Sequence, residues 1–295
     1  MTDITGFIGI GHMGGAIARR LLDAGHALMV YDRDPAACAA FEKLGASVAP
    51  SVRALADQVQ VAFLCLPSIE ASREVSAQMA GANALRYLVE TSTVGPASVR
   101  EIAALLSPHG IDVIDAPVSG GPSGARAGTL SLMHSGAPEA LARVMPLLSA
   151  ISTRRFDVGT QPGLAQVCKL VNNAISAAGM VAACEATVLG VKAGLDAGTL
   201  LAAINAGSGR NAATLDKFPK SILTGTFDFG GPMGLMLKDL SLFIEQSQAY
   251  GVPGLMAPAA LAAWEEAVRR TGFDADYTKL IQHMEADAGV TVRAQ

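Results

Sequence analysis

Apolar and polar positions along the chain follow two regimes that change near residue 160. Before it, short apolar runs alternate with amphipathic stretches. Thr5–Gly11 (TGFIGIG) reads as a strand running into glycine, and the helical AIARRLLDAG follows. Ala27–Tyr31, Ser47–Ala49, Val59–Leu66, Tyr87–Thr91 and Ile111–Asp115 read as further strands. Helical patterns over Ala36–Leu44, Val52–Gln58, Ile69–Ala80 and Pro96–Ser107 separate them. Val59–Leu66 (VQVAFLCL) has the continuous apolar character of a strand covered on both faces. Thr129–Gly136, a helix over Pro138–Ser149 and a strand around Arg154–Val158 close this region. The alternation predicts an α/β fold with a doubly wound sheet over residues 1–162.

The second regime opens with Gly163–Gly194, which has no proline, little charge and many Ala, Val and Leu residues. It reads as one long helix, on the order of 40 Å, more than one small domain needs internally. A helix of that length joins two bodies, so residues 163–194 are expected to be an interdomain helix. The rest is helical in pattern: Gly198–Ala206, a stretch from Asn211, Gly234–Ala249, Pro253–Arg270 and Asp276–Ala286. Residues 195–295 are thus expected to form an all-α C-terminal domain, with Phe227–Gly231 (FDFGG) its least regular loop.

Composition narrows the classes. The 295 residues fit roughly two domains, and 51% hydrophobic with only 16% charged residues suggests buried surface beyond two cores. A homodimer or homotetramer is expected. The net charge of −4 comes from interspersed signs with no basic run, which argues against nucleic acid. Cys38, Cys65, Cys168 and Cys184 form no C-x-x-C, and the histidines show neither an i,i+4 pair nor H-E-x-x-H, so no metal site is expected. The apolar run Ala174–Cys184 ends at Glu185, too short to span a bilayer, and the first strand begins where a leader would lie. A soluble cytoplasmic protein without a membrane partner is the expectation.

Against this background two dense motifs stand out. Gly9-Ile10-Gly11-His12-Met13-Gly14 is a G-x-G-x-x-G between strand and helix. Gly9 permits the tight turn, Gly11 lets backbone approach a pyrophosphate and Gly14 lets the helix pack on the strand. The next strand ends in Asp32, 23 residues after Gly9, where a carboxylate holds a ribose 2′-hydroxyl. Asp32 favours NAD by repelling a 2′-phosphate, while Arg33 could bind that phosphate, stack on adenine or simply be solvated, so NADP remains possible. Leu66, Pro67 and Thr93 sit at or beyond strand ends, where such sheets bind ligands, although hydroxyls there can equally cap the helix at Pro96. The second motif, Asp115-Ala116-Pro117-Val118-Ser119-Gly120-Gly121-Pro122, reads either as an anion-binding nest or as a glycine-rich turn. On the long helix, Lys169 and Asn173 lie one turn apart on an otherwise apolar surface. A snorkelling lysine and a structural amide would also account for them.

Four separated segments resemble the β-hydroxyacid dehydrogenase family, which includes 3-hydroxyisobutyrate dehydrogenase and tartronate semialdehyde reductase. They are GFIGIGHMG at 6–14, DAPVSGG at 115–121 with GTL at 128–130, KLVNN at 169–173 and KDL at 238–240, in order along the chain. The resemblance implies a Rossmann domain, a long interdomain helix and an all-helical domain, with the active site in the cleft. It implies that Lys169 is the catalytic acid/base, that Asn173 orients the reacting groups and that Ser119, Gly120 and Gly121 hold a substrate carboxylate. Lys238 would reach cofactor and substrate, with Asp239 beside it, also assigned to substrate binding though projecting elsewhere on its helix. Gly9, Gly11, His12, Met13, Gly14, Asp32, Arg33, Leu66, Pro67, Thr93 and Lys238 would contact the cofactor. Ala165 departs from the family, whose members commonly carry a second glycine there, and its methyl is expected to narrow the cleft. Ser208–Phe218 is expected to face the variable end of the substrate.

The activity implied is NAD(P)-dependent hydride transfer on a short 3-hydroxy acid, a small-molecule carboxylate, or on the matching semialdehyde. Two alternatives stand beside it. One is an imine reductase, against which Lys169 argues; the other is a non-catalytic NAD(P)-binding protein, which needs no Ser119–Lys169–Asn173 set.

Overall fold

Strand residues that alternate between two covered faces build the sheet. In the computed structural model, which describes residues 4–294, Phe7, Val30, Phe63, Val89 and Ile114 enter one apolar cluster. Their strand neighbours Ile8, Met29, Ala62, Leu64, Leu88 and Val113 enter another on the opposite face. Phe7 and Phe63 are register partners and stack with centroids 5.6 Å apart. The strands are β1 (Thr5–Ile8), β2 (Leu28–Tyr31), β3 (Ser47–Val48), β4 (Val61–Leu64), β5 (Tyr87–Glu90), β6 (Asp112–Asp115), β7 (Val118–Ser119), β8 (Ser131–Ser135) and β9 (Arg154–Gly159). Their order is β3-β2-β1-β4-β5-β6-β8-β7, with β9 on β8. From β3 to β6 all pairs are parallel; β8 runs antiparallel to β6 and β7.

The crossovers are α1 (His12–Asp23), α2 (Pro35–Glu42), α3 (Val52–Ala56), α4 (Ile69–Met79) and α5 (Pro96–Leu106). α6 (Gly121–Ala127) and α7 (Pro138–Ile151) follow. Side-chain caps start several of them: Asp34 for α2, Ser51 for α3 and Ser68 for α4. The doubly wound α/β reading holds, and the sheet is mixed rather than wholly parallel. β7 and α6 were not expected, because two-residue strands and a seven-residue helix inside a Gly/Pro-rich segment lack periodicity.

α8 (Leu164–Lys192) runs unbroken for 29 residues, close to the expected span. The chain separates into two compact units between Lys169 and Leu170, inside this helix. Among the described residues α8 alone is long and apolar enough to cross a membrane by length and composition, a longer stretch than Ala174–Cys184 suggests. Its positions Ala177, Met180 and Cys184 are core residues of the second unit, where the Trp264 indole donates to the Ala177 carbonyl at 3.3 Å.

The second unit adds α9 (Ala197–Ala206), α10 (Met233–Ala249), α11 (Met256–Thr271) and α12 (Leu280–Ala288). Between α9 and α10, Ala213–Ile222 forms a wide π turn whose buried side includes Ala213, Lys217, Phe218 and Ile222. Its end shows the i→i+5 spacing directly, the Leu223 amide donating to the Phe218 carbonyl at 2.8 Å. Pro219 withdraws the amide that would bond Thr214 O, and the Asn205 side chain donates there instead at 3.0 Å.

Candidate functional site

The glycine loop follows β1 and opens α1. Gly9 has φ +85°, and a Cβ there would lie 2.3 Å from the Cys65 carbonyl oxygen, so only glycine fits. At Gly14 a Cβ would lie 1.9 Å from Gly9 O, whereas at Gly11 it would meet nothing within 4 Å. Loop and helix are therefore packed tightly except at the glycine assigned to the pyrophosphate. Gly11 supplies no side-chain cap, and no carboxylate lies in the first turn, which leaves the α1 amide end to an anion. His12 is exposed and Met13 partly buried within that turn.

Asp32, just beyond β2, is tied to the same loop: Oδ2 accepts from Ile10 N at 2.8 Å and Oδ1 from Asp34 N at 2.9 Å. Each oxygen keeps a lone pair for a ribose hydroxyl. Asp32, Arg33, Pro35, Cys38 and Pro50 help line an open pocket of about 370 Å³ at this edge. These features fit the adenosine and pyrophosphate portions of a dinucleotide.

Leu66 and Pro67 follow β4, and Thr93 follows β5. Leu66 N donates to Ser92 Oγ at 2.8 Å, and Ser92 N donates to Glu90 Oε1 at 2.8 Å, so the two expected wall loops are joined. Ser119 ends β7, and Gly120 (φ +128°) and Gly121 (φ +66°) lead into α6. Both are exposed, with backbone only glycine adopts readily.

Beneath these loops lies a buried polar cluster. Asp115, at the end of β6, receives Gly163 N at 3.1 Å and Gln166 N at 2.9 Å, and so caps α8. Ser135 Oγ accepts from Ala165 N at 3.1 Å. Gln166 Nε2 donates to Asp115 Oδ1 at 2.8 Å and Ser92 O at 3.0 Å, while its Oε1 accepts Val94 N and Gly95 N, each at 3.0 Å. Asp115, Gln166 and Glu90 are fully buried. Burial pushes the Glu90 carboxyl up to about 7 and the Asp115 carboxyl up to about 6. Ala165 is also fully buried, so its methyl narrows no open space, contrary to expectation. Lys169, one turn after Gln166, is only 7% exposed.

Gln166 was not singled out from the sequence, and Asp115 only as the first letter of its motif. The available signal was an amide in the first turn of an otherwise apolar helix.

In the second unit, Asn173 Nδ2 donates to Asp239 Oδ2 at 2.6 Å, and Lys238 Nζ lies 2.8 Å from Asp239 Oδ1. Asp239 was expected to project away from Lys238; the long lysine side chain instead folds back to its neighbour. Oδ1 has no aligned hydrogen-bond donor, so charge rather than hydrogen-bond geometry holds the pair. The Asn173 carbonyl oxygen accepts from Asn172 Nδ2 at 3.0 Å.

A doubly wound sheet with a glycine loop, an open helix end and a tethered acid after β2 defines a dinucleotide-binding protein. Residues 4–159 match the model of the NAD-binding domain of 6-phosphogluconate dehydrogenase. Residues 163–284 match that of the NAD-binding domain of NADP-dependent 3-hydroxyisobutyrate dehydrogenase. A 2-(hydroxymethyl)glutarate dehydrogenase from Eubacterium barkeri is 34% identical over 97% of this chain and 96% of its own. A structure of Mycobacterium tuberculosis 3-hydroxyisobutyrate dehydrogenase with L-serine superposes with a TM-score of 0.85 at 28% identity, covering 96% of this chain and 99% of that one. A Streptomyces aurantiacus imine reductase, TM-score 0.63 and 22% identical, covering 96% of this chain and 99% of that one, shares the fold alone. The chain belongs to the 3-hydroxyisobutyrate dehydrogenase-like superfamily of NAD-binding Rossmann proteins, and is an NAD(P)-binding oxidoreductase.

Proposed function

We propose that the protein moves a hydride between a nicotinamide cofactor and a short 3-hydroxy acid, or the matching semialdehyde, with Lys169 as the general acid/base. The observation that carries this reading is a lysine only 7% exposed on an apolar helix, one turn after the Asp115-capped start of α8. An imine reductase would not need a lysine there. Relatives support the substrate class. 3-Hydroxyisobutyrate, L-serine and 2-(hydroxymethyl)glutarate, named with those relatives, share the core HOCH2–CH(R)–COO⁻ and differ only in R.

When bound, the dinucleotide supplies a hydride acceptor or donor at its nicotinamide. In the oxidation direction Lys169 Nζ takes the alcohol proton as the C–H hydride departs; in reduction it returns the proton to the carbonyl oxygen. Ser119, Gly120 and Gly121 hold the substrate carboxylate through the serine hydroxyl and the exposed backbone amides. Asn173, fixed by Asp239, orients the reacting oxygen, and Lys238 offers positive charge to carboxylate or cofactor. Asp32 favours NAD over NADP, because a 2′-phosphate would meet its carboxylate. Ser208–Phe218 would meet R. A homo-oligomer in the cytoplasm is the setting we propose.

The test is a cofactor-absorbance screen of short 3-hydroxy acids with NAD⁺ and NADP⁺, and of semialdehydes with the reduced forms, repeated on Lys169→Ala. Turnover should drop at least about 100-fold in the variant while dinucleotide binding persists. Near wild-type turnover in Lys169→Ala would remove the lysine from the chemistry, and stronger activity with NADP would overturn the role given to Asp32.

A further inference from the structure

The hydrogen bonds of Gln166 exceed what its own helix end requires. α8 is already capped by Asp115, which takes the amides of Gly163 and Gln166. The Gln166 side chain bonds nothing in α8. Its two N–H donors go to Ser92 O and Asp115 Oδ1, and its oxygen accepts from the amides of Val94 and Gly95. All four hydrogen-bonding positions of the amide are used in a site with no solvent exposure. Few side chains of this length offer two donors and two acceptor sites. Glutamate lacks the donors, leucine lacks both, methionine offers only a weak sulfur acceptor, and lysine lacks an acceptor.

The partners define what is joined. Ser92–Gly95 is the loop after β5 that carries Thr93, and Ser92 in turn receives the Leu66 amide from the loop after β4. Lys169 follows Gln166 by three residues on α8, about 4.5 Å further along the axis. One amide therefore fastens the wall loops to the turn that presents the lysine, across 71 to 74 residues of sequence.

We propose that Gln166 is a positioning residue for the hydride-transfer site. It fixes Lys169 relative to the loop bearing Thr93, so that one side chain sets both the placement of the base and the cofactor-facing wall. The inference rests on the reading of Lys169 as acid/base and adds a residue that acts through it. Positioning errors of about 1 Å cost on the order of a hundredfold in rate, so even a small loosening is measurable.

The experiment uses the full chain with Gln166→Met, which keeps length and removes every hydrogen bond, and Gln166→Glu, which keeps the acceptor for Val94 and Gly95 but loses both donors. Calorimetric titration with NAD⁺ gives the dinucleotide Kd without any substrate, and turnover is read on the substrate found in the screen. Gln166→Met should raise Kd about fivefold or more and lower kcat about ten- to a hundredfold. Combined with Lys169→Ala, it should lower residual turnover no further while still raising Kd, because a residue acting through the lysine has nothing left to position. Full turnover in Lys169→Ala defeats the acid/base reading itself. Wild-type kcat and Kd in Gln166→Met, with Lys169→Ala inactive, defeats only the present proposal. A raised Kd with unchanged kcat, losses that multiply in the double variant, or failure of both Gln166 variants to fold would equally overturn it.

Discussion

The two polar clusters on or beside α8 handle charge in opposite ways. In the first unit, Asp115 and Gln166 are fully buried and matched bond for bond to backbone amides and carbonyls. In the second, Lys238, Asp239 and Asn173 are less enclosed: the Lys238 and Asp239 side chains are 24% and 10% exposed, and proximity of charge holds that pair. The first arrangement is costly to break because each orphaned buried group loses its partner without gaining water. The second leaves a cation at a partly solvated position, where removing it affects whatever it binds more than the fold around it. On the proposed reading, the structural cluster and the ligand-directed one differ in how deeply they are buried.

The sharpest way to break the contrast is Asp115→Ala. It strands the amides of Gly163 and Gln166 and one Gln166 donor in a dry site, at a cost of about 3 kcal/mol or more. Thermal unfolding should show the melting temperature falling by roughly 10 °C. A change within about 2 °C would mean that the cluster relaxes to find water. Lys238→Ala should do the reverse. Loss of a charge-assisted contact lowers the specificity constant about ten- to a hundredfold, roughly 1.5–3 kcal/mol. Melting should shift little, since Asp239 keeps its bond from Asn173. Unchanged kinetics on every substrate, or a large thermal loss, would move Lys238 to the structural class.

The smallest effect concerns Glu90, whose carboxyl is raised from 4.5 to about 7 by burial, with Ser92 N on one oxygen and none on the other. A carboxyl raised on folding contributes stability that is complete below its unfolded value and lost as pH climbs through the folded one. Asp115, raised to about 6, adds the same sign lower in the range. Melting temperature should therefore decline between pH 6 and 8, with Glu90 accounting for about 1 kcal/mol of the loss. Glu90→Gln should flatten that decline. An equal slope in the variant would show that Glu90 does not titrate in this window.

Much of this was legible in the sequence where one residue type has one physical use. Gly9 and Gly14 are dictated by backbone contact, and Asp32 by its offset from the loop. The long apolar helix follows from composition alone. What was not legible depended on partners far away in the chain. Gln166 acquires its role from Ser92, Val94, Gly95 and Asp115, none within 50 residues of it. The Lys238–Asp239 contact was misjudged because helix geometry describes where side chains start, not how a four-carbon stem folds back. β7 and α6 escaped because glycine and proline hide periodicity.

The wide turn at Ala213–Ile222 makes chain length itself a structural variable. Phe218 and Ile222, four residues apart in this segment, both enter the core of the second unit. Leu215, more than half exposed, can change identity with little consequence for the fold. Were it deleted instead, the segment beyond it would rotate by somewhat less than a quarter turn, carrying Phe218 and Ile222 away from their contacts. In this stretch the core counts residues as closely as it recognises them.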